Sequence, residues 1–122
     1  MLNNWLSPIA KEEFDHFKGY DRSQFAKKLL IHKDSDQFPQ LNNAKMAIIG
    51  IGDQAANDVR RELYRMNFPH RSFRVADLGN SRKTAPSFVI PIVKELLDSD
   101  IFPILIGKDI DGSLAQYQAY RS

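Results

Sequence analysis

"KMAIIGIGDQAANDVRRELYRM", residues 45–66, changes its period half-way along, and that change decides how the chain is read. Its first part, Lys45 to Ile51, is a short apolar run broken by Gly50 and Gly52, as suits a strand buried on both faces. Beyond it Ala55, Val59, Leu63 and Met66 recur at helical spacing and predict the apolar face of a helix. Asp53 or Asn57 is placed to cap its start, and Asn67-Phe68-Pro69 to end it.

The same alternation continues downstream. "FRVADLG" (73–79) reads as a second strand closed by Gly79-Asn80. "SFVIPIVKELLDSD" (87–100) reads as a helix with Val89, Val93, Leu96 and Leu97 on one side. With Ser87 as its N-cap, Pro91 falls in the first turn, where no N–H is needed. "IFPILIG" (101–107) is a third strand, and "GSLAQYQAYRS" starts another helix. Strands at 45–51, 73–78 and 102–106 with helices at 54–66 and 87–98 predict an α/β fold. The expected architecture is a three-layer αβα arrangement with a parallel sheet, right-handed crossovers and about three strands. Ahead of this domain (44–122) lies a helical or irregular lead-in, 1–43. It scatters Trp5, Phe14 and Phe17 among charges, offers a short helix from Ser23, and closes with the polar connector "HKDSDQFPQLNN".

A chain of 122 residues makes one domain at most, and 43% hydrophobic against 26% charged residues is the balance of a water-soluble one. No apolar run reaches the ~18 residues of a membrane span, and the N-terminus lacks the pattern of a signal peptide. Without cysteine there are no disulfides or thiolate metal sites, and the expected location is cytoplasmic. A net charge of +2 from interspersed signs is too balanced for a phosphate-backbone footprint, so nucleic acid and membrane are not expected partners.

Parallel strands bring their following loops to one carboxyl edge, the usual ligand side of an open α/β sheet. Asp53, Asp77, Asp109 and Asp111 all fall there, although aspartate after a strand is also a favoured helix cap. One functional reading is nucleotide binding: Gly50-Ile51-Gly52-Asp53-Gln54-Ala55 fits G-x-G-x-x-A, and Asp77 stands near where a ribose-binding acid belongs. Against it, Asp53 would set a carboxylate inside the phosphate loop.

A second reading comes from four segments in order. Pro103-Ile104-Leu105-Ile106-Gly107-Lys108-Asp109-Ile110-Asp111 resembles the first metal-binding segment of the ureohydrolases, the arginase, agmatinase and formimidoylglutamase family. "DQAANDVRRELYRM" (53–66) resembles that family's early R-x-x-L-Y helix. "VADLGN" (75–80) resembles its D-L-G-D/N strand end, and "VIPIVKELLDSDIFPILIG" its helix–strand pair leading to the metal. The resemblance spans about residues 44–120. It implies two Mn²⁺ ions that activate a hydroxide for attack on the central carbon of a guanidine or amidine substrate.

The chain departs from the family pattern in three ways. Ile110 stands where the family has a ligand histidine, Lys108 replaces a glycine, and the family's later D-x-H-x-D and D-x-D segments are not within the 122 residues. Asp109 and Asp111 are the remaining candidate metal ligands, a weak pair without a histidine, and Asp111 also reads as the N-cap of the following helix. His16, His32 and His70 lie outside the motif and read as solvated. The expectation is therefore the N-terminal fragment or short form of a ureohydrolase-like protein, nearest the formimidoylglutamase branch and itself inactive, with no metal bound by this chain alone. A nucleotide-binding module and a catalytically silent binding or assembly domain are the alternatives. Tyr117 and Tyr120 are expected in the last helix, and self-association through an uncovered sheet edge or face is expected unless the lead-in covers it.

Overall fold

Ala44–Ile51 forms an eight-residue strand with side chains buried on both sides of its second half, and it lies inside the sheet rather than at its edge. The structure is a computed structural model that describes residues 2–9, 30–32, 38–66 and 74–107. In chain order these form α1 (Leu2–Trp5), β1 (Leu6–Ser7), β2 (Leu30–Ile31), β3 (Ala44–Ile51), α2 (Asp53–Leu63), β4 (Arg74–Ser81), α3 (Pro86–Asp98) and β5 (Phe102–Gly107).

The fold is α/β, and its three long strands pair as the alternation predicts. β3 is parallel to β4 on one side (Ile48 opposite Asp77) and to β5 on the other (Ile48 opposite Ile104). Because β4 and β5 flank β3 on opposite sides, two crossovers of the same hand place their helices on opposite faces. Val89, Ile92, Val93 and Leu96 of α3 pack on Ala47, Ile49, Ile51, Ala76 and Leu78. On the other face Leu63 of α2 meets Ile48 and Val75, with Met46, Ile104 and Ile106 around them.

The sheet as a whole is mixed, which corrects the expectation of a purely parallel one. Two short strands from the lead-in share the outer edge of β4. β2 runs parallel to it at Ala76 and Asp77, and β1 antiparallel at Asn80 and Ser81. The two join where the Ile9 N–H donates to the His32 carbonyl (3.0 Å). Strands of two residues have no measurable period, so nothing in the apolar pattern announces them. Trp5 and Leu2 pack against the α3 face; Phe14, Phe17 and the helix expected from Ser23 lie outside the described residues. Among the described residues β5 is the other edge of the sheet, and Pro103 suits that place.

Two details of the helices also differ. α3 begins at Pro86, with Ala85 rather than Ser87 as N-cap, because the fixed φ of proline suits the first helical position. Pro91 is consequently interior to the helix; it and Ser87 are on the exposed side, where water can satisfy the orphaned carbonyl. β4 does not stop at Gly79 but continues to Ser81 through a bulge, since Ile48 faces Asp77 while Gly50 faces Asn80.

Gly79 sits in this bulge at φ +87°, and a Cβ there would fall 2.0 Å from the Ser7 carbonyl oxygen. The lead-in thus docks against a position that only glycine fits. Gly79→Ala is expected to loosen β1 and shift the emission of Trp5, the single tryptophan, to the red at denaturant concentrations where the helical circular dichroism is still native. Coincident loss of both signals with an unchanged midpoint would refute this.

Candidate functional site

The helical period places Val59 and Met66 on the sheet face of α2, but the structure turns the helix away from that reading. Ala56 and Arg60 are buried with Tyr64, the residue that caps the helix, whereas Val59 and Met66 are exposed. The reason is polar. Arg60 points onto β4 and uses all five of its donors. Nε donates to Asp77 Oδ2 (2.8 Å) and Nη2 to Asp77 Oδ1 (2.9 Å), a bidentate pair. Nη2 also reaches the Gly79 carbonyl (2.9 Å), while Nη1 donates to Asn80 Oδ1 (2.6 Å) and Asn57 Oδ1 (3.1 Å). Asp77 is equally saturated, because the Tyr64 hydroxyl donates to Oδ2 and the Gly79 N–H to Oδ1 (3.1 Å).

Burial by itself would lower the pKa of the Arg60 guanidinium, but the charge and hydrogen bonds of Asp77 outweigh it and hold the group above its ordinary value. The Tyr64 phenol is pushed well above its ordinary value, first by burial and then by the Asp77 charge, with Arg60 opposing. Both directions describe a fixed charge pair with a neutral tyrosine, and neither describes a proton donor or acceptor working near neutrality.

From this core the network runs to the carboxyl edge. Asn80 Nδ2 donates to Asp53 Oδ1 (3.0 Å) in the exposed first turn of α2. The helix lies close enough for this because Gly50 has no side chain: a Cβ there would fall 1.9 Å from Asn80 Oδ1 and 2.7 Å from the Ala56 Cβ. Gly52, not Asp53 or Asn57, is the N-cap, and no side chain caps the helix. β5 ends at Gly107 against the Ile51 carbonyl and the Ala56 backbone, so the ends of β3 and β5 and the start of α2 meet at one corner.

The residues singled out from sequence divide accordingly. Asp77 is not at a strand end but mid-strand and fully buried, with its lone pairs taken by protein donors, so it is not available to a ribose. Asp53 is at the edge and held by Asn80. Asp109, Ile110 and Asp111 lie outside the described residues, as do Lys108, Tyr117, Tyr120, His16 and His70. Among the described residues no three histidine or acidic side chains converge as metal ligands would. His32 corrects the expectation of a solvated side chain. It is fully buried beside Phe38 (ring centroids 4.9 Å apart), and Nδ1 lies 2.8 Å from the Leu78 carbonyl and donates to it. Its Nε2 is buried without a partner. Arg60, Tyr64 and Asn80 stand in the R-x-x-L-Y and D-L-G-N segments, but the sequence reading assigns them no role. The available signal was their spacing: Ala56, Arg60 and Tyr64 form an i, i+4 stripe of their own, facing the D-L-G-N strand end.

No family model, curated protein or solved structure matches this chain.

Removing one partner of a buried ion pair leaves the other uncompensated, at a cost of about 3–5 kcal/mol. Asp77→Ala is expected to lose stability on that scale in urea unfolding, and Tyr64→Phe about 1.5–3 kcal/mol for its bond to a charged acceptor. The Tyr64 pKa is raised on folding, so its contribution is complete below the unfolded tyrosine pKa of about 10 and is lost as pH rises past it. Unfolding measured from neutral to strongly alkaline pH should therefore show a shallower alkaline loss in Tyr64→Phe than in the parent; equal slopes would remove Tyr64 from the account.

Proposed function

We propose that residues 44–120 are a ureohydrolase-like segment leading to a manganese site, in a protein whose chemistry is hydrolysis of C–N bonds in linear amidines, nearest to formimidoylglutamase. With Ile110 in place of a ligand histidine, the 122-residue chain does not itself turn over substrate. The observation that carries this reading is the Arg60–Asp77 interlock. The R-x-x-L-Y helix and the D-L-G-N strand end, two separate parts of the resemblance, are bonded directly to one another through Arg60, Tyr64, Asp77 and Asn80. A third part, β5, runs beside β3 and delivers the chain to the carboxyl edge at Gly107, two residues before Asp109.

On this reading the motif residues divide by role. Arg60, Tyr64 and Asp77 position α2 on the sheet, while Asp109 and Asp111 are the ligands this segment offers a metal. Manganese in such a centre supplies hydroxide at neutral pH. The nucleotide alternative loses its ribose acid to Arg60 and keeps a carboxylate, Asp53, in the helical turn where phosphate would lie.

The test is Mn²⁺ titration. The chain as it stands is expected to show no saturable binding, Ile110→His is expected to bind measurably, and that gain should vanish when Asp109→Ala is added. A histidine at 110 that changes nothing would remove residues 109–111 from a metal segment. With Mn²⁺ and arginine, agmatine or formimidoylglutamate, no urea, formamide or ammonia should be released above background. Metal-dependent turnover abolished by Asp109→Ala would overturn the inactivity, and saturable binding of NAD or ATP would favour the nucleotide reading.

A further inference from the structure

Asp77 to Asn80 of β4 carry two sets of bonds on one strip of chain. Along the outer edge runs a strap, residues 2–9 and 30–32, the described parts of the lead-in. The His32 N–H donates to the Asp77 carbonyl (2.9 Å), His32 Nδ1 to the Leu78 carbonyl (2.8 Å) and Ser7 Oγ to the Asn80 carbonyl (3.2 Å). The Ser7 carbonyl lies against the bare Cα of Gly79. Toward α2, the Asp77 carboxylate, the Gly79 carbonyl and Asn80 Oδ1 receive Arg60, while Asn80 Nδ2 holds Asp53 Oδ1. Asn80 therefore serves three elements at once: its backbone carbonyl the strap, its amide oxygen Arg60, and its amide nitrogen the start of α2. It is buried, so a turn of its side chain or backbone gives up these bonds with no water to replace them. The bulge between Asp77 and Asn80 is where the strand can absorb such a turn. The strap is the weaker side of the arrangement. Its two strands are two residues each, which places them among segments that open below the free energy of global unfolding. His32 Nε2 is buried without a partner, a cost that undocking returns when the ring meets water.

We propose that the strap and the carboxyl edge are coupled through Asn80: a docked strap holds Asp53 in place, and a held Asp53 keeps the strap docked. Without the Asp53 carboxylate, Asn80 Nδ2 loses its acceptor and the side chain is free to turn, so the carbonyl that receives Ser7 is no longer fixed. Without the strap, the bulge at Gly79 and Asn80 loses its outer contacts, and the donor that orients Asp53 moves with it. Linkage makes the two effects equal in free energy. A group that draws the Asp53 carboxylate away from Asn80 at the carboxyl edge therefore loosens the strap on the outer side of β4. The two-state element is the docked or undocked strap, and both ends bias it through one buried residue.

Amide hydrogen exchange of the full chain, read by NMR, tests the coupling from both ends. Asp53→Ala, at an exposed position, should speed exchange at Ile9 and His32, whose N–H groups bond within the strap and to β4, by about twofold or more. Exchange at Ile49, inside β3, should stay at the parent rate, which separates release of the strap from a general loss of stability. Asp53→Asn keeps an oxygen for Asn80 Nδ2 and should stay close to the parent; Asp98→Ala, exposed at the end of α3, should change nothing. From the other end, Ser7→Ala removes the hydroxyl bond to the Asn80 carbonyl and should shift the carboxyl carbon signal of Asp53. Unchanged strap exchange in Asp53→Ala, an equal rise at Ile49, an Asp53→Asn as fast as Asp53→Ala, the same acceleration in Asp98→Ala, or an Asp53 signal indifferent to Ser7→Ala would each overturn the proposal.

Discussion

The guanidinium of Arg60 lies where a helix on an α/β sheet ordinarily presents an aliphatic side chain, and much of the α2 face is arranged around that substitution. A buried charge costs several kcal/mol unless its partner and its remaining donors are provided for. Here the provision comes from four residues on β4 and α2 itself: the Asp77 carboxylate in mid-strand, the Gly79 carbonyl at the bulge, and the amide oxygens of Asn57 and Asn80. The absent side chain at Gly50 lets Asn80 reach inward beneath the helix. The roll of α2 about its own axis follows from these bonds, because no other rotation brings both Arg60 and Tyr64 onto Asp77.

That roll explains what could and could not be read in the sequence. The three long strands, their parallel pairing and both long helices follow from apolar runs alternating with helical periodicity, a signal set by burial of the α3 face and the strand interiors. The orientation of α2 does not follow, since a period counted over apolar residues passes over an arginine and a tyrosine that face the sheet. The place of Asp77 does not follow either, for a related reason: Gly79 looks like a strand terminus but makes a bulge, so the acid lies four residues inside the end of β4 rather than at the ligand edge. Asp53 was located correctly at the edge, though not as a cap. His32 was read as solvated because its polar neighbours in sequence suggested a connector; pairing with β4 buries it.

Functionally, the same network separates two uses of acidic residues that the sequence alone merges. Asp77 is spent on architecture, its lone pairs filled by protein donors. Asp53, one hydrogen bond further along the chain of contacts, stays at the solvent side and is oriented by Asn80. A carboxyl edge reached in this way is built from the core outward, so the geometry of anything held near Asp53 depends on an arginine that ligand never touches.

The division of β4's outer edge between β2 and β1 bears on how the polypeptide is made. Residues 6–7 and 30–32 leave the ribosome well before β4, the strand they pair with, and the Ser7–Asn80 contact joins positions 73 residues apart. At about 5–20 residues per second the lead-in waits several seconds with its apolar side chains unplaced. Closing so long a loop adds little to the final free energy, roughly 0.6 kcal/mol for each doubling of length. Time is the larger burden: until Ser81 has emerged, Leu6, Ile9 and Leu30 are available to whatever apolar surface they meet first, including that of a chaperone.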